Sequence, residues 1–348
     1  MNFANLTPFQ PLHFESRDQH GTDHGVVVAR GTFDIEADGS LRPADEQEPL
    51  VLADEYTGKP GRSSLAVESS LAPFKPRTDI TFRAVAHSPR QKPARSWEVA
   101  VGFDARTLAR FTVTGRRFWQ RRLRGFRLTE PDLAREVPVT FERAFGGTAS
   151  GAKKSQGAPS CWGPNPVGRG FGAPERFDEV EAPQLLPLDT FRPAFGVPFE
   201  TVGLGPVAPT WEPRRGFVGT YDEHWAATRR PDLPADFDYR FYNTGARGMT
   251  LEGFAKGTET LTLTNLTPEG VTRIQLPGFE LSALMVPSAG QLAISPAFLD
   301  TIHVDAVDRR VFLTWRAVVL RSSQLKSLEL RLRILKGQES GSLMRARA

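Results

Sequence analysis

Hydrophobic and polar residues along this chain alternate with a period of two far more often than they recur at helical spacing. Residues 96–103 (SWEVAVGF) set Trp97, Val99, Val101 and Phe103 against Glu98, Ala100 and Gly102, the pattern of a strand with one buried face. Residues 327–335 repeat it, with Leu328, Leu330, Leu332 and Ile334 expected inward and Glu329, Arg331 and Arg333 outward. Residues 258–265 place Leu261 and Leu263 opposite Thr260, Thr262 and Thr264, and residues 110–114 and 272–276 alternate in the same way. Residues 26–33 (VVVARGTF) are instead almost continuously apolar and β-branched, which predicts a buried strand. Ala37, Asp38, Gly39 and Ser40 carry a turn signal. Further strands are predicted at 78–86, 137–141, 301–304 and 310–319, the last two flanking a hairpin at 305–308. Helical spacing is weak. It predicts one or two turns at 224–229, stopped by Pro231, and another at 296–300.

These patterns lead to an all-β, mainly antiparallel fold, with packed sheets in sandwich-like layers joined by long Pro/Gly-rich loops. The 31 glycines and 28 prolines agree, because together they exceed their usual share of about 12%. No repeat of fixed period is present. The 348 residues read as one β-rich domain over 1–336 with a frayed tail at 337–348. That domain is divisible into β sublayers at about 1–145 and 180–336, joined by an ordered loop block at 146–179. Residues 141–172 (FERAFGGTASGAKKSQGAPSCWGPNPVGRGFG) fit neither period. Irregular stretches of this length inside a domain are usually functional or disordered. Order is expected here, because Phe145, Trp162 and Phe171 need something to pack against. If the preceding strand runs on, Glu142 and Arg143 alternate and one of the two points into the block, with Arg143 the candidate. There its guanidinium would fix the loop or meet a partner.

Charge and chemistry narrow the function by exclusion. Lys and Arg number 44 against 40 Asp and Glu, a formal net charge of +4, too mild for a dedicated nucleic-acid binder without a concentrated patch. The basic run at 116–127 interleaves Phe118, Trp119 and Phe126. On a strand Phe118 and Trp119 point oppositely, so a pair of strands with solvated arginines and buried aromatics is expected rather than a base-stacking groove. Cys161 is alone, which allows no intrachain disulfide and no Cys-based zinc cage and points to a reducing cytosol. The start, MNFANLTPFQPLHF, has no basic or apolar run of a secretory signal. No apolar stretch approaches the roughly 20 residues of a membrane span. His20 and His24 have a metal-ligand spacing, with Asp18 and Asp23 nearby, but sit in loop sequence and are read as solvated. The glycines at 168–172 and 203–205 lack the context of a phosphate loop. Asp222 and Glu223 are adjacent and would diverge on a strand. No catalytic residue, cofactor or metal is expected, and neither nucleic acid nor membrane as a partner.

Several segments carry a resemblance. They are FKPRTDITFRAVAHSP at 74–89, FERAFGG at 141–147, NPVGRGF at 165–171 and GPVAPTWEPRRGFVGTYDEHWAATRRPDLPADFDYRFYN at 205–243. NLTPEGVTRIQLPG at 265–278 and DTIHVDAVDRRVFLTWRA at 300–317 complete the set. Together they resemble a bacterial domain-of-unknown-function family found with type VI secretion systems, whose members look like effector-loading adaptors or chaperones. The resemblance implies a non-enzymatic cytoplasmic protein that binds a toxic effector and delivers it to the spike proteins of the secretion machine. One departure stands out: the family tends to carry Ala-Pro-Pro-Asp-Gln after FYN, whereas here TGARGM fills 244–249. An adaptor needs a broad interface centred on aromatics and Arg. The candidates are Arg143, Trp162, Asn165, Arg169, Trp211, Tyr221 and Trp225, each equally able to serve as loop packing. Two other readings stand beside this one. One is a structural component of a secretion or phage-like particle. The other is an enzyme on a cell-wall or sugar polymer, which would need carboxylates or a nucleophile converging in a cleft.

Overall fold

The computed structural model describes residues 1–148, 161–172 and 178–335. Its backbone is mainly strand, as the period-two pattern requires. The largest sheet has nine strands. Its centre is the pair Asp23–Ile35 and Arg310–Val319, antiparallel, with Ala29 opposite Trp315. Gln10–Arg17 flanks one side. On the other lies Ala293–Asp305, which divides its partners at an irregularity between Leu299 and Thr301. Its first part pairs antiparallel with Phe279–Pro287 and its last part pairs parallel with Asp79–Arg83. Leu325–Ile334 and the parallel strand Asn2–Leu6 close the far edge.

A second sheet of five strands is antiparallel: Leu185–Leu186, Arg106–Thr114, Ser96–Phe103, Thr260–Thr264 and Val271–Gln275. Its inner rows include Trp97, Val99, Val101 and Phe103 with Phe111, Val113, Leu261 and Leu263. They join Phe33, Ile80, Ile302, Leu313 and Trp315 of the larger sheet in one hydrophobic cluster. Phe9 stacks on Trp315 at 5.3 Å and 14° within it. Gly31 makes this possible, since a Cβ there would lie 2.8 Å from the Phe9 ring. Each large sheet draws strands from both sides of the loop block, so residues 1–145 and 180–336 interleave and do not form separate layers.

Several local expectations are corrected. Residues 296–300 are strand, not helix; Pro296 lies opposite Ser282 where the ladder to Arg310–Val319 has not begun, a place that tolerates a residue without an N–H. The strand expected at 137–141 spans only Glu136–Pro138, and Phe141–Arg143 form a 3-10 turn, so Glu142 and Arg143 do not alternate. Inward alternation at the chain's last strand fades toward its end, where Ile334 is exposed. The turn at 37–40 and the helix Glu223–Thr228 stand where the sequence placed them. The tail at 337–348 lies outside the described residues. No helix among those described is long and apolar enough to cross a membrane.

Candidate functional site

The loop block is built from backbone approach and a few braced side chains. Phe145–Gly146 pairs parallel with Arg169–Gly170, which draws the two ends of the block together. Gly146 has φ 155°, and a Cβ there would lie 2.1 Å from the Asn165 carbonyl oxygen, so only glycine fits. Asn165 is fully buried, and its Nδ2 donates to the carbonyls of Phe141 (2.7 Å) and Phe145 (3.0 Å). Arg169 donates from Nε to the Glu142 carbonyl at 2.8 Å and pairs with Glu181. Arg143 donates to the Gln184 side chain, whose Nε2 donates onward to the Thr114 carbonyl at 3.0 Å. Glu142 accepts from the Ser64 N–H at 2.7 Å. Burial alone would raise its pKa, but the hydrogen bonds from Ser64 outweigh it and hold the carboxyl below its ordinary value.

Four aromatic rings pack together at the block. Trp162 meets buried Phe145 edge-on at 5.3 Å and lies 5.4 Å from Phe171, while its Nε1 donates to Thr201 at 3.0 Å. Phe199 covers Phe145 from another side at 4.2 Å. Phe145 is 1% exposed, whereas Trp162, Phe171 and Phe199 are half-buried. The result is an aromatic plate at the surface, packed on buried Phe145.

The structure therefore gathers Arg143, Trp162, Asn165 and Arg169 into one place but gives them different work. Asn165 and the two arginines are braces: Asn165 ties two carbonyls of the loop, Arg169 joins the Glu142 carbonyl to Glu181, and Arg143 is held by Gln184. Trp211 is buried, edge-on to Phe141 at 5.4 Å, and its neighbour Glu212 donates its N–H to the Gly163 carbonyl. It seats the block from beneath and offers nothing to a partner. Tyr221 and Trp225 lie elsewhere. They pack on each other at 4.6 Å by the helix Glu223–Thr228, N-capped by Asp222, and Trp225 donates to the Asp232 carbonyl. That unit is tied to the N-terminal hairpin through Arg17–Asp232 at 3.2 Å. Replacing Asn165 by Ala should cost about 1–3 kcal/mol, because two buried carbonyls lose their donor; a urea melt measures it.

The remaining sequence candidates resolve simply. Asp18 accepts from the N–H groups of His20 and Thr22, both at 2.8 Å, and Asp23 pairs with Arg17, so both carboxylates beside His20 and His24 serve a turn. Among the described residues no group of three or more His, Cys, Asp or Glu is placed to hold a metal. Segment 244–249 is largely interior. Thr244 and Met249 are fully buried, while Arg247 reaches out to Glu200.

One polar assembly was not read from the sequence. The outer face of the large sheet carries Asp79, Thr81 and Arg83, then Thr301, His303 and Asp305, then Phe312, Thr314 and Arg316 in register. Residues 47–77 cross over this face and bury most of it, leaving Arg83 exposed. Lys75 Nζ donates to Asp79 at 3.0 Å and Thr301 at 2.9 Å, and also pairs with Glu68. Burial works against the ammonium, but Glu68 and Asp79 more than offset it and raise its pKa. Arg316 bonds Asp300 at 2.6 Å and the carbonyls of Ser70 and Ala72. A cleft of about 840 Å³ opens beside this assembly. Several charges on its walls pair among themselves, Arg83 with Asp305 at 2.7 Å and Arg310 with Glu48 at 2.8 Å.

Comparison with known proteins places the chain in a family. A family described as an uncharacterized protein conserved in bacteria (DUF2169) matches residues 20–316. The chain belongs to it. The match takes in the five-stranded sheet, the loop block and the centre of the nine-stranded sheet, but not its strands Asn2–Leu6, Gln10–Arg17 and Leu325–Ile334, and the braces at Asn165 and Arg169 lie within the family region. No curated protein and no solved structure matches the chain.

Proposed function

We propose that this protein is a non-enzymatic adaptor that holds a secreted effector toxin in the cytoplasm and loads it onto a type VI secretion spike. The observation that carries the reading is the aromatic plate of Trp162, Phe171 and Phe199, half-exposed beside the braces Asn165 and Arg169. Rigid aromatics at a surface lose little entropy on binding and are the usual anchors of protein interfaces. The motif resemblance supplies the identity of the partner.

The test is capture of the product of a neighbouring toxin gene, by affinity purification from the native cytosol with quantitative mass spectrometry. Recovery in near-equal amount supports the adaptor role, and its absence from cells that express the toxin sinks it. Trp162→Ala should weaken capture about tenfold or more. Arg169→Ala is a poor probe of contact, because it removes a brace of the loop as well.

A further inference from the structure

The basic run at 116–127 departs from its expected form in one respect. The hairpin Phe118–Arg122 and Gly125–Leu128 is present, with Trp119 buried and most arginines solvated. Arg117, however, is 1% exposed. Its Nη1 donates to the Phe191 carbonyl at 2.8 Å, while Nε and Nη2 are buried without any hydrogen-bond partner. Burial pushes its pKa down to about 10, so it stays charged at neutral pH. A buried cation with unspent donors is a standing cost to the fold, and such sites are places where function is to be sought.

Arg117 lines a cleft of about 540 Å³ that runs between residues 125–131 and 191–195. Trp119, Phe126, Phe191 and Phe195 form its aromatic walls, with Phe126 against Phe195 at 4.0 Å. One side is the strand Gly125–Leu128, the edge of a three-stranded sheet. Above it the hairpin tip exposes Arg121, Arg122, Arg124 and Arg127, and Leu123 is fully exposed between them. Among the described residues no carboxylate pairs with Arg121, Arg124 or Arg127, and Arg122 is bonded only to Gln120 at 2.7 Å. Glu130, the one acid that acts on Arg117, lies on the rim and pairs weakly with Arg192 at 3.9 Å. Arginines on an edge strand also discourage indiscriminate pairing, but that role needs no guanidinium buried beneath them.

We propose that this cleft binds an extended acidic segment of a protein partner, which adds to the outer edge Gly125–Leu128 and seats a carboxylate on the unpartnered nitrogens of Arg117. Strand addition supplies backbone hydrogen bonds, and alternate side chains enter the cleft. The exposed arginines draw the acidic segment in, and the aromatic walls take an apolar neighbour of the carboxylate. Solvent reaches neither Nε nor Nη2, so seating the carboxylate requires residues 191–195, whose Phe191 carbonyl holds Nη1, to move aside. The inference rests on the adaptor reading only in taking the partner to be a protein.

Fluorescence anisotropy with the full chain tests it, using a short labelled peptide of alternating Glu and Leu. Its Gln-for-Glu counterpart, a labelled oligothymidine and phosphatidylserine-containing vesicles are run in parallel. The Glu peptide should bind, and the Gln peptide should bind about tenfold more weakly or worse. Arg117→Met should abolish the difference while melting no lower than the parent, since a buried cation with unspent donors is gone; a purely structural arginine would melt lower. Should Arg117→Met fail to fold, the exposed pair Arg121→Glu with Arg124→Glu decides the question, with an expected loss of about tenfold in Glu-peptide affinity and an unchanged affinity overturning the proposal. Equal binding of the two peptides, no binding of either, or tighter binding of the oligonucleotide or the vesicles overturns it as well. Toxin capture that survives Arg117→Met while peptide binding is lost leaves the adaptor reading standing and detaches the cleft from it. Peptide binding without any toxin capture does the reverse.

Discussion

Lys75→Met should destabilise the protein by about 3–5 kcal/mol, read as a lower urea midpoint at unchanged slope. Lys75 is 2% exposed, and its ammonium is the shared partner of Glu68, Asp79 and Thr301. A methionine fills similar volume but leaves two buried carboxylates facing each other. Asp79 keeps other donors, the Thr244 N–H at 2.8 Å, the Thr250 hydroxyl at 2.8 Å and Asn243 Nδ2 at 3.1 Å. Glu68 has far less, since beyond Lys75 only Thr301 approaches it, at 3.5 Å. Adding Glu68→Gln should therefore recover part of the loss, and a double-mutant cycle isolates the coupling. A loss below about 1 kcal/mol would mean that the carboxylates find water, and that residues 47–77 do not seal the sheet. The same substitution should loosen segment 243–250, because Asp79 fixes both of its ends.

The strands that were legible in the sequence are those whose burial is one-sided. Trp97, Val99, Val101 and Phe103 face the core and their neighbours do not, so the alternation of residues is the alternation of environments. The run at 26–33 was legible for the opposite reason: Val27 and Ala29 lie in the core while Val26 and Val28 are covered from outside. What hid the rest is covering by distant chain. Thr301, His303 and Asp305 alternate with Ile302 and Val304 and look like a solvent face, yet residues far away in sequence bury them. The parallel pairing of 79–83 with 301–305 has no local signal at all. Of the loop block, residues 149–160 and 173–177 lie outside the described residues; in the rest the aromatics announced packing, but the sequence gives no means of separating Trp162, at the surface, from Trp211, beneath it. Arg117 was decipherable by parity. It stands two residues before Trp119, just ahead of the strand that begins at Phe118, so extended backbone takes it to the buried side with Trp119.

Stability should also fall as the pH drops from about 6.5 toward 4, and His303 should be responsible for about 3 kcal/mol of the change. The imidazole is 7% exposed and lies on the covered sheet face, with Nδ1 2.9 Å from the Thr81 hydroxyl and Phe312 alongside at 5.9 Å. Burial, helped by the nearby positive charges of Arg30 and Arg83 and opposed by Asp305, lowers its pKa to about 4. An unfolded chain binds a proton on this histidine near pH 6.5 while the folded one refuses it, so the full benefit exists above 6.5 and disappears as the pH falls through the folded value. Thermal melts in steps from pH 7 to 4.5 should show a progressive drop that His303→Gln, which takes up no proton, largely removes. The upper part of the window matters most, because carboxylates held low in the fold, Glu142 among them, begin to lose their contribution as the pH nears their ordinary value of 4.5, at its acid end. A variant with the parent's slope between 6.5 and 4.5 would show that the imidazole is hydrated, and that the adjoining cleft admits water to the sheet face.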